Sequence, residues 1–221
     1  MRSEEMLRYY SERAFEYENI YLKPERQEDL SRLATIVSDA VQGLNVLEIA
    51  CGTGYWTERY AHAARSVLAT DASNEVLGLA RAKSFPSGNV DFVSADAYRL
   101  MDADAVQDGF PFDAAVVAFW WSHIPRGEWQ AFLTSLHACL APGATVLVYD
   151  NRFVAGSSTP ISETDADGNT FQRRVLGDGR SYSVLKNFPD PAVLQQAIAP
   201  YSASFQMTML EYFWVAQYRR S

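Results

Sequence analysis

At 221 residues, with a hydrophobic fraction of 48% and a charged fraction of 21%, the chain has the size and composition of one α/β domain that buries a substantial core. A formal net charge of −8 argues against a nucleic-acid partner, and any acidic ligand must meet a local cluster of cations. No run approaches the roughly 20 apolar residues of a membrane span, and the charged start Met1-Arg2-Ser3-Glu4-Glu5 lacks a signal-peptide core. Two cysteines, Cys51 and Cys139, make neither a disulfide framework nor a zinc set, so each is expected as a reduced, buried thiol. The expectation is a cytoplasmic monomer or homodimer without nucleic-acid or membrane partners.

In chain order, the stretch 4–19 reads as a tyrosine-studded helix, and Pro24 opens a second helix through about residue 41. Five apolar runs follow, at 45–50, 66–70, 90–94, 113–119 and 144–149. None shows polar alternation, which is how strands buried on both faces read. Helices are expected between them at 55–64, at 73–83 with Ser73 as cap, and at 127–140. The last has Trp129, Phe132, Leu133, Leu136 and Leu140 at core spacing and stops before Pro142-Gly143. After Asp150 the pattern changes. A Gly/Ser/Thr/Asp-rich loop spans 155–169, and strands at 171–176 and 181–188 flank Gly177-Asp178-Gly179 as a hairpin. A helix at 190–199 precedes two last strands, 204–210 and 212–218.

The chemistry concentrates at the ends of the first three strands. Glu48-Ile49-Ala50-Cys51-Gly52-Thr53-Gly54-Tyr55 carries a buried strand through a glycine turn into a helix, where backbone N–H groups face outward. Alone this is as consistent with a ligand-free tight turn. Asp71 ends the second strand, where a carboxylate can accept both hydroxyl protons of a ribose, and Asp96 with the Ala97 amide follows the third, suited to an adenine edge. A dinucleotide fingerprint needs a small third residue, and Thr57 occupies that place behind Tyr55 and Trp56.

This ordered set resembles the class I S-adenosylmethionine-dependent methyltransferase family over residues 40–150. The resemblance implies a Rossmann-like α/β fold, with seven mostly parallel strands, helices on both faces and the last strand antiparallel in a terminal hairpin. It implies S-adenosylmethionine as cofactor and S-adenosylhomocysteine as product. Glu48 would lie near the cofactor's amino group, Gly52 and Gly54 under its methionine part, Asp71 on the ribose and Asp96 with Ala97 on the adenine, with Ala50, Trp56, Ala72 and Phe119 as further cofactor-binding candidates. Ala50 stands where many members have glycine, which implies backbone that avoids positive φ. From an N-terminal cap over the cofactor, Tyr9, Tyr10, Arg13 and Tyr17 are candidates, Arg13 being suited to the methionine carboxylate. One domain is expected, with residues 1–42 as cap, 43–150 as cofactor core, 151–189 as loop and hairpin lid, and 190–221 as a helix and strand pair.

The acceptor is expected at the end of the fourth strand, Phe119-Trp120-Trp121-Ser122-His123. His123 is the candidate catalytic residue, as base or acceptor-orienting group, its alternative being a hydrogen bond that fixes the loop. A carboxylate or phosphonate acceptor needs no base. His62 and His137 read as solvated. Asp150-Asn151 resembles the metal pair of catechol-type methyltransferases, but the third carboxylate is replaced by aromatics, so no metal is expected. The absence of an Asn/Asp-Pro-Pro-aromatic turn weakens nucleobase or glutamine methylation. Arg173, Arg174, Arg180 and Lys186 cluster on the hairpin. That run, with the tyrosine-rich N-terminus, resembles a subgroup that methylates small phosphonates or carboxylates. Tyr17, Tyr21, Trp120, Arg174, Arg180 and Lys186 are the substrate-binding candidates. The leading expectation is O-methylation of a small anionic metabolite. The alternatives are N-methylation of a small amine and a non-catalytic cofactor-binding protein.

Overall fold

The computed structural model describes residues 14–85 and 88–221. Five strands form the parallel part of the main sheet: β1 (Asn45–Ile49), β2 (Ser66–Asp71), β3 (Val90–Ser94), β4 (Phe112–Ala118) and β5 (Leu140–Asn151). They are joined by β9 (Ser202–Met209) and β10 (Phe213–Arg220), giving the order β3-β2-β1-β4-β5-β10-β9. β10 runs antiparallel to both β5 and β9. The central strands are apolar on successive residues because both faces are covered. Val116 faces the core with Leu33, Val37 and Tyr60, and Val117 the core with Phe132, Leu133 and Leu136.

The helices α1 (Gln27–Ala40), α2 (Tyr55–Tyr60), α3 (Asn74–Arg81), α4 (Asp104–Gly109), α5 (Trp129–Ala138) and α6 (Pro191–Ile198) cover the sheet. α1 buries Leu30, Leu33 and Val37, one stripe at helical spacing. Ser73 caps α3 through its side-chain oxygen, and Asp190 caps α6 ahead of Pro191. The helix expected to run to residue 64 ends at Tyr60. Its outgoing carbonyls are taken elsewhere, Ala61 and Ala64 by the Asn89 amide and Ala63 by Gly43 N. α4 carries one buried residue, Val106, so it left no periodic signal in the sequence.

β5 starts four residues earlier than expected. Between the pairs Phe112↔Leu140 and Ala114↔Thr145 a bulge absorbs Pro142 and Gly143, with Gly143 at φ 77°. His137, expected in solvent, is instead 5% exposed. Its Nδ1–H donates to Leu133 O at 2.6 Å and Nε2 accepts the Tyr218 hydroxyl at 3.0 Å, so burial without a countercharge pushes its pKa down to about 4. The partner comes from β10, 81 residues away.

A separate antiparallel sheet, β6 (Glu163–Thr164), β7 (Thr170–Val175) and β8 (Ser181–Leu185), forms the inserted lid. The expected 155–169 loop thus contributes two residues to pairing. On the opposite side of the chain order, a 3₁₀ helix covers Ala14–Tyr21; the earlier part of the expected N-terminal helix lies outside the described residues. No helix among the described residues is long and apolar enough to cross a membrane.

Candidate cofactor and acceptor site

β2 and β3 lie on one side of β1, and β4 and β5 on the other. Such a switch point leaves a crevice at the carboxyl ends of the strands. The ladder continues past those ends, with Cys51 N on Thr70 O at 2.9 Å and Ala95 N on Asp71 O at 3.1 Å. The glycine turn, Asp71 and Asp96 are thereby brought side by side.

The turn adopts left-handed backbone at Ala50 (φ 54°), Gly52 (φ 57°) and Gly54 (φ 74°). The expectation that Ala50 avoids positive φ is overturned. The strain is on the order of 1 kcal/mol, and the register imposes it, since Ile49 pairs with Thr70 and Cys51 N bonds the same residue. A Cβ on Gly52 would enter open space, whereas one on Gly54 would come 3.2 Å from Ala80 Cβ. The first glycine leaves room for a ligand and the second lets α2 start close against α3.

Asp71 organises this turn. Gly52 N donates to its Oδ2 and Ser73 N to its Oδ1, both at 2.9 Å. Burial pushes its pKa up, while these N–H groups and that of Ala72 pull it back. A carboxylate offers about four acceptor positions, so both oxygens retain capacity for ligand hydroxyls. Asp96 Oδ1 accepts Tyr98 N at 2.9 Å.

A cavity of about 720 Å³ lies over these strand ends, a size usual for ligand sites. Ala50, Gly52, Asp71, Ala72, Asp96 and Ala97 line one part of it. Phe119, Trp120 and His123 line another, and Phe171 and Leu185 of the lid close over them. Glu48, Gly54, Trp56, Tyr21, Arg174, Arg180 and Lys186 are not among its walls. Tyr9, Tyr10, Arg13 and the Tyr17 side chain lie outside the described residues.

Glu48 sits beneath α2. Its Oε2 accepts the hydroxyls of Thr57 (2.6 Å) and Tyr60 (2.8 Å), while Oε1 has no partner among the described residues. Burial raises its pKa to about 7. Trp56 and Tyr21 belong to an aromatic cluster around Phe119. Phe119, itself left-handed at φ 57°, stacks on Trp56 at 5.7 Å and meets Tyr149 and Phe213 edge-on at 5.6 Å each. Tyr21 stacks on Tyr55 at 3.8 Å.

At the lid side, His123 Nδ1–H donates to Leu185 O at 2.7 Å, since a carbonyl can only accept. Burial and the nearby Lys186 ammonium hold the imidazole neutral, far below its ordinary pKa. Lys186 is itself buried, with Nζ 2.6 Å from Ser122 Oγ and 2.9 Å from Asp150 Oδ1. Asp150 also accepts Ser122 N at 2.9 Å. Arg174 reaches Gln172 Oε1 at 2.6 Å, and Arg180 is an exposed partner of Asp178 at 2.7 Å. Sequence reasoning missed Arg26. This residue, 9% exposed, bonds Ser157 Oγ at 2.9 Å and Asn151 Oδ1 at 3.3 Å, and lies 5.3 Å from the Tyr212 ring centroid. Arg26 and Arg174 both stand near enough to Lys186 to push its pKa down. Nothing local in Pro24-Glu25-Arg26 marks the arginine, because its partners come from residues 151–157 and 212–213.

The glycine turn, the two acids at adjacent strand ends and the aromatic side chains at Phe119 and Trp120 thus meet in one cavity. A methyltransferase-domain family profile matches residues 46–143. The structure superposes on the DhpI–SAH complex with a TM-score of 0.74 at 30% identity, covering 99% of this chain and 96% of that one. For the DhpI–SAM–HEP complex the TM-score is 0.76 at 28% identity, covering 100% and 98%. Among curated sequences, the ubiquinone/menaquinone biosynthesis C-methyltransferase UbiE of Pseudomonas fluorescens (strain Pf0-1) is 30% identical over 165 residues, 70% of this chain and 61% of that protein. The chain spans less than two thirds of the length of the curated relatives it matches. The chain belongs to the class I S-adenosylmethionine-dependent methyltransferase family, and its cofactor is S-adenosylmethionine. The residues present fit that group: open space at Gly52, spare acceptor capacity at Asp71 and Asp96, and an aromatic wall at Phe119.

Proposed function

We propose that this protein methylates an oxygen of a small anionic metabolite, an acid whose reacting oxygen is already ionised. The observation that carries this reading is the charge balance beside His123. Arg26, Arg174 and Lys186 act on one another there, and only Lys186 has a carboxylate partner, Asp150, among the described residues. With Lys186 paired to Asp150 and Glu25 acting on Arg26, Arg174 carries the excess positive charge of the group, and in a protein of net charge −8 such a guanidinium suits a planar or tetrahedral oxyanion.

The bound cofactor supplies an activated methyl group. The protein's work is then alignment and exclusion of water. Asp71 and Asp96 accept from the adenosine, and Phe119 with its aromatic neighbours keeps the reacting end dry. His123 is held neutral with its Nδ1 proton committed to Leu185, so it accepts a proton poorly. It serves as an orienting group, and the acceptor oxygen needs no base. The same cations disfavour a protonated amine, which sets N-methylation behind.

The test is release of S-adenosylhomocysteine with a panel of small carboxylates, phosphonates, alcohols and amines. Turnover is expected with acids. His123→Asn is expected to lose less than about tenfold in kcat, since a general base contributes about 10²–10⁴. Turnover confined to alcohols, with loss of 10²-fold or more in His123→Asn, would overturn the reading.

A further inference from the structure

We infer that Glu18 is a positioning residue for the cofactor: its carboxylate locks the 3₁₀ helix Ala14–Tyr21 onto the glycine turn, so that docking of this segment and binding of S-adenosylmethionine are one linked equilibrium. Three observations converge on it. Thr53, between the two left-handed glycines and on the cavity wall, donates its hydroxyl to Glu18 Oε1 at 2.7 Å. Lys83, just beyond α3, donates to the same oxygen at 2.6 Å. Three residues further along the segment, Tyr21 is 5% exposed, stacks on Tyr55 and receives Trp56 Nε1–H at 3.3 Å.

The glycine turn is therefore gripped from two sides. Asp71 holds Gly52 N from the end of β2, and Glu18 holds Thr53 from the segment. Asp71 is part of the ligand surface in its own right. Glu18 is absent from the cavity wall, and it acts through Thr53. A buried threonine hydroxyl, 3% exposed as a residue, must spend its proton somewhere, and the carboxylate across the interface makes that bond charge-assisted. Lys83 compensates the carboxylate and is shared with Glu58 at 3.3 Å. Glu18 and Tyr21 thus tie the segment to the backbone where the methionine part of the cofactor is expected. Any preference of the cofactor for the held turn is returned, by reciprocity, as a preference for the docked segment.

The experiment measures S-adenosylhomocysteine affinity and dissociation rate by calorimetry and stopped-flow fluorescence, with hydrogen exchange of residues 14–21, on wild type, Glu18→Gln, Thr53→Val and Thr53→Ser. Glu18→Gln and Thr53→Val are expected to weaken the ligand about five- to tenfold, chiefly through faster dissociation. Thr53→Ser, which restores the hydroxyl, is expected to keep wild-type affinity. Ligand is expected to slow exchange in 14–21 in wild type and not in Glu18→Gln. Wild-type affinity in both weakened variants, or ligand-independent exchange in the wild-type segment, would overturn the inference. So would an affinity loss in Thr53→Ser equal to that of Thr53→Val. Failure of the wild type to bind would instead remove the cofactor assignment on which this rests.

Discussion

Glu48 shows what one buried carboxyl does to the molecule. In the native state its pKa is raised from 4.5 to about 7, so the folded protein holds a proton that the unfolded chain has already released. Stability therefore falls as pH rises from about 4.5 to about 7 and stays at the lower level above that. The shift corresponds to roughly 3–4 kcal/mol at most. Glu48→Gln keeps acceptors for Thr57 and Tyr60 and removes the titration. Ligand-free Glu48→Gln is expected to melt higher than wild type at pH 8 and level with it near pH 4.5, by calorimetry across the pH series. Equal melting at pH 8 would mean that the carboxylate is solvated or paired there. Ala50 and Phe119 make a second point at this scale: both hold left-handed backbone at strand ends that face the cavity, and only the register between neighbouring strands demands it.

Among the elements, the β6–β8 sheet is tied to the loop after β4 more firmly than a surface hairpin. Asn187, fully buried, bonds Thr170 N, Ile124 O and Asn169 Oδ1, and its own N–H reaches Ser122 O. Beside it, the Lys186–Asp150 pair joins the residue after β8 to β5. Lys186→Met preserves the volume but strands the Asp150 carboxylate with only N–H donors from Ser122 and Asn151. Loss of one partner of a buried pair costs about 3–5 kcal/mol. Lys186→Met is expected to lose that much in urea unfolding, and the double variant Lys186→Met/Asp150→Asn to recover at least half. A single variant as stable as wild type would show the pair to be open to water. The sequence offers Lys186 as a substrate-binding cation, whereas the structure pairs it with Asp150, 36 residues away, beyond what local pattern can reveal. For Arg180 the reverse holds: Asp178, two residues off, already claims it.

For the whole molecule, the cofactor should act as a stabiliser, because only the folded crevice binds it. At 100 times its dissociation constant, a ligand adds about 2.7 kcal/mol, and in a chain of this size each 1 kcal/mol moves Tm by about 2–4 °C. S-Adenosylhomocysteine is expected to raise Tm by roughly 5–10 °C under those conditions, and NADH at equal concentration by nothing measurable. A response to NADH alone would return the fold to the dinucleotide reading.

What the sequence determined by itself is whatever repeats locally: the buried strands, the helix stripes and the Gly52, Gly54, Asp71 and Asp96 positions, each at a strand end that backbone chemistry marks. These suffice for the fold and the cofactor because the parallel sheet places consecutive strand ends together. The tertiary structure alone decided the charge pairing at Asp150, the burial of His137 under Tyr218, the left-handed Ala50 and the seat of Arg26. Each depends on which distant groups arrive within a few ångströms, and the interaction energies that fix those choices do not exist until the chain has folded.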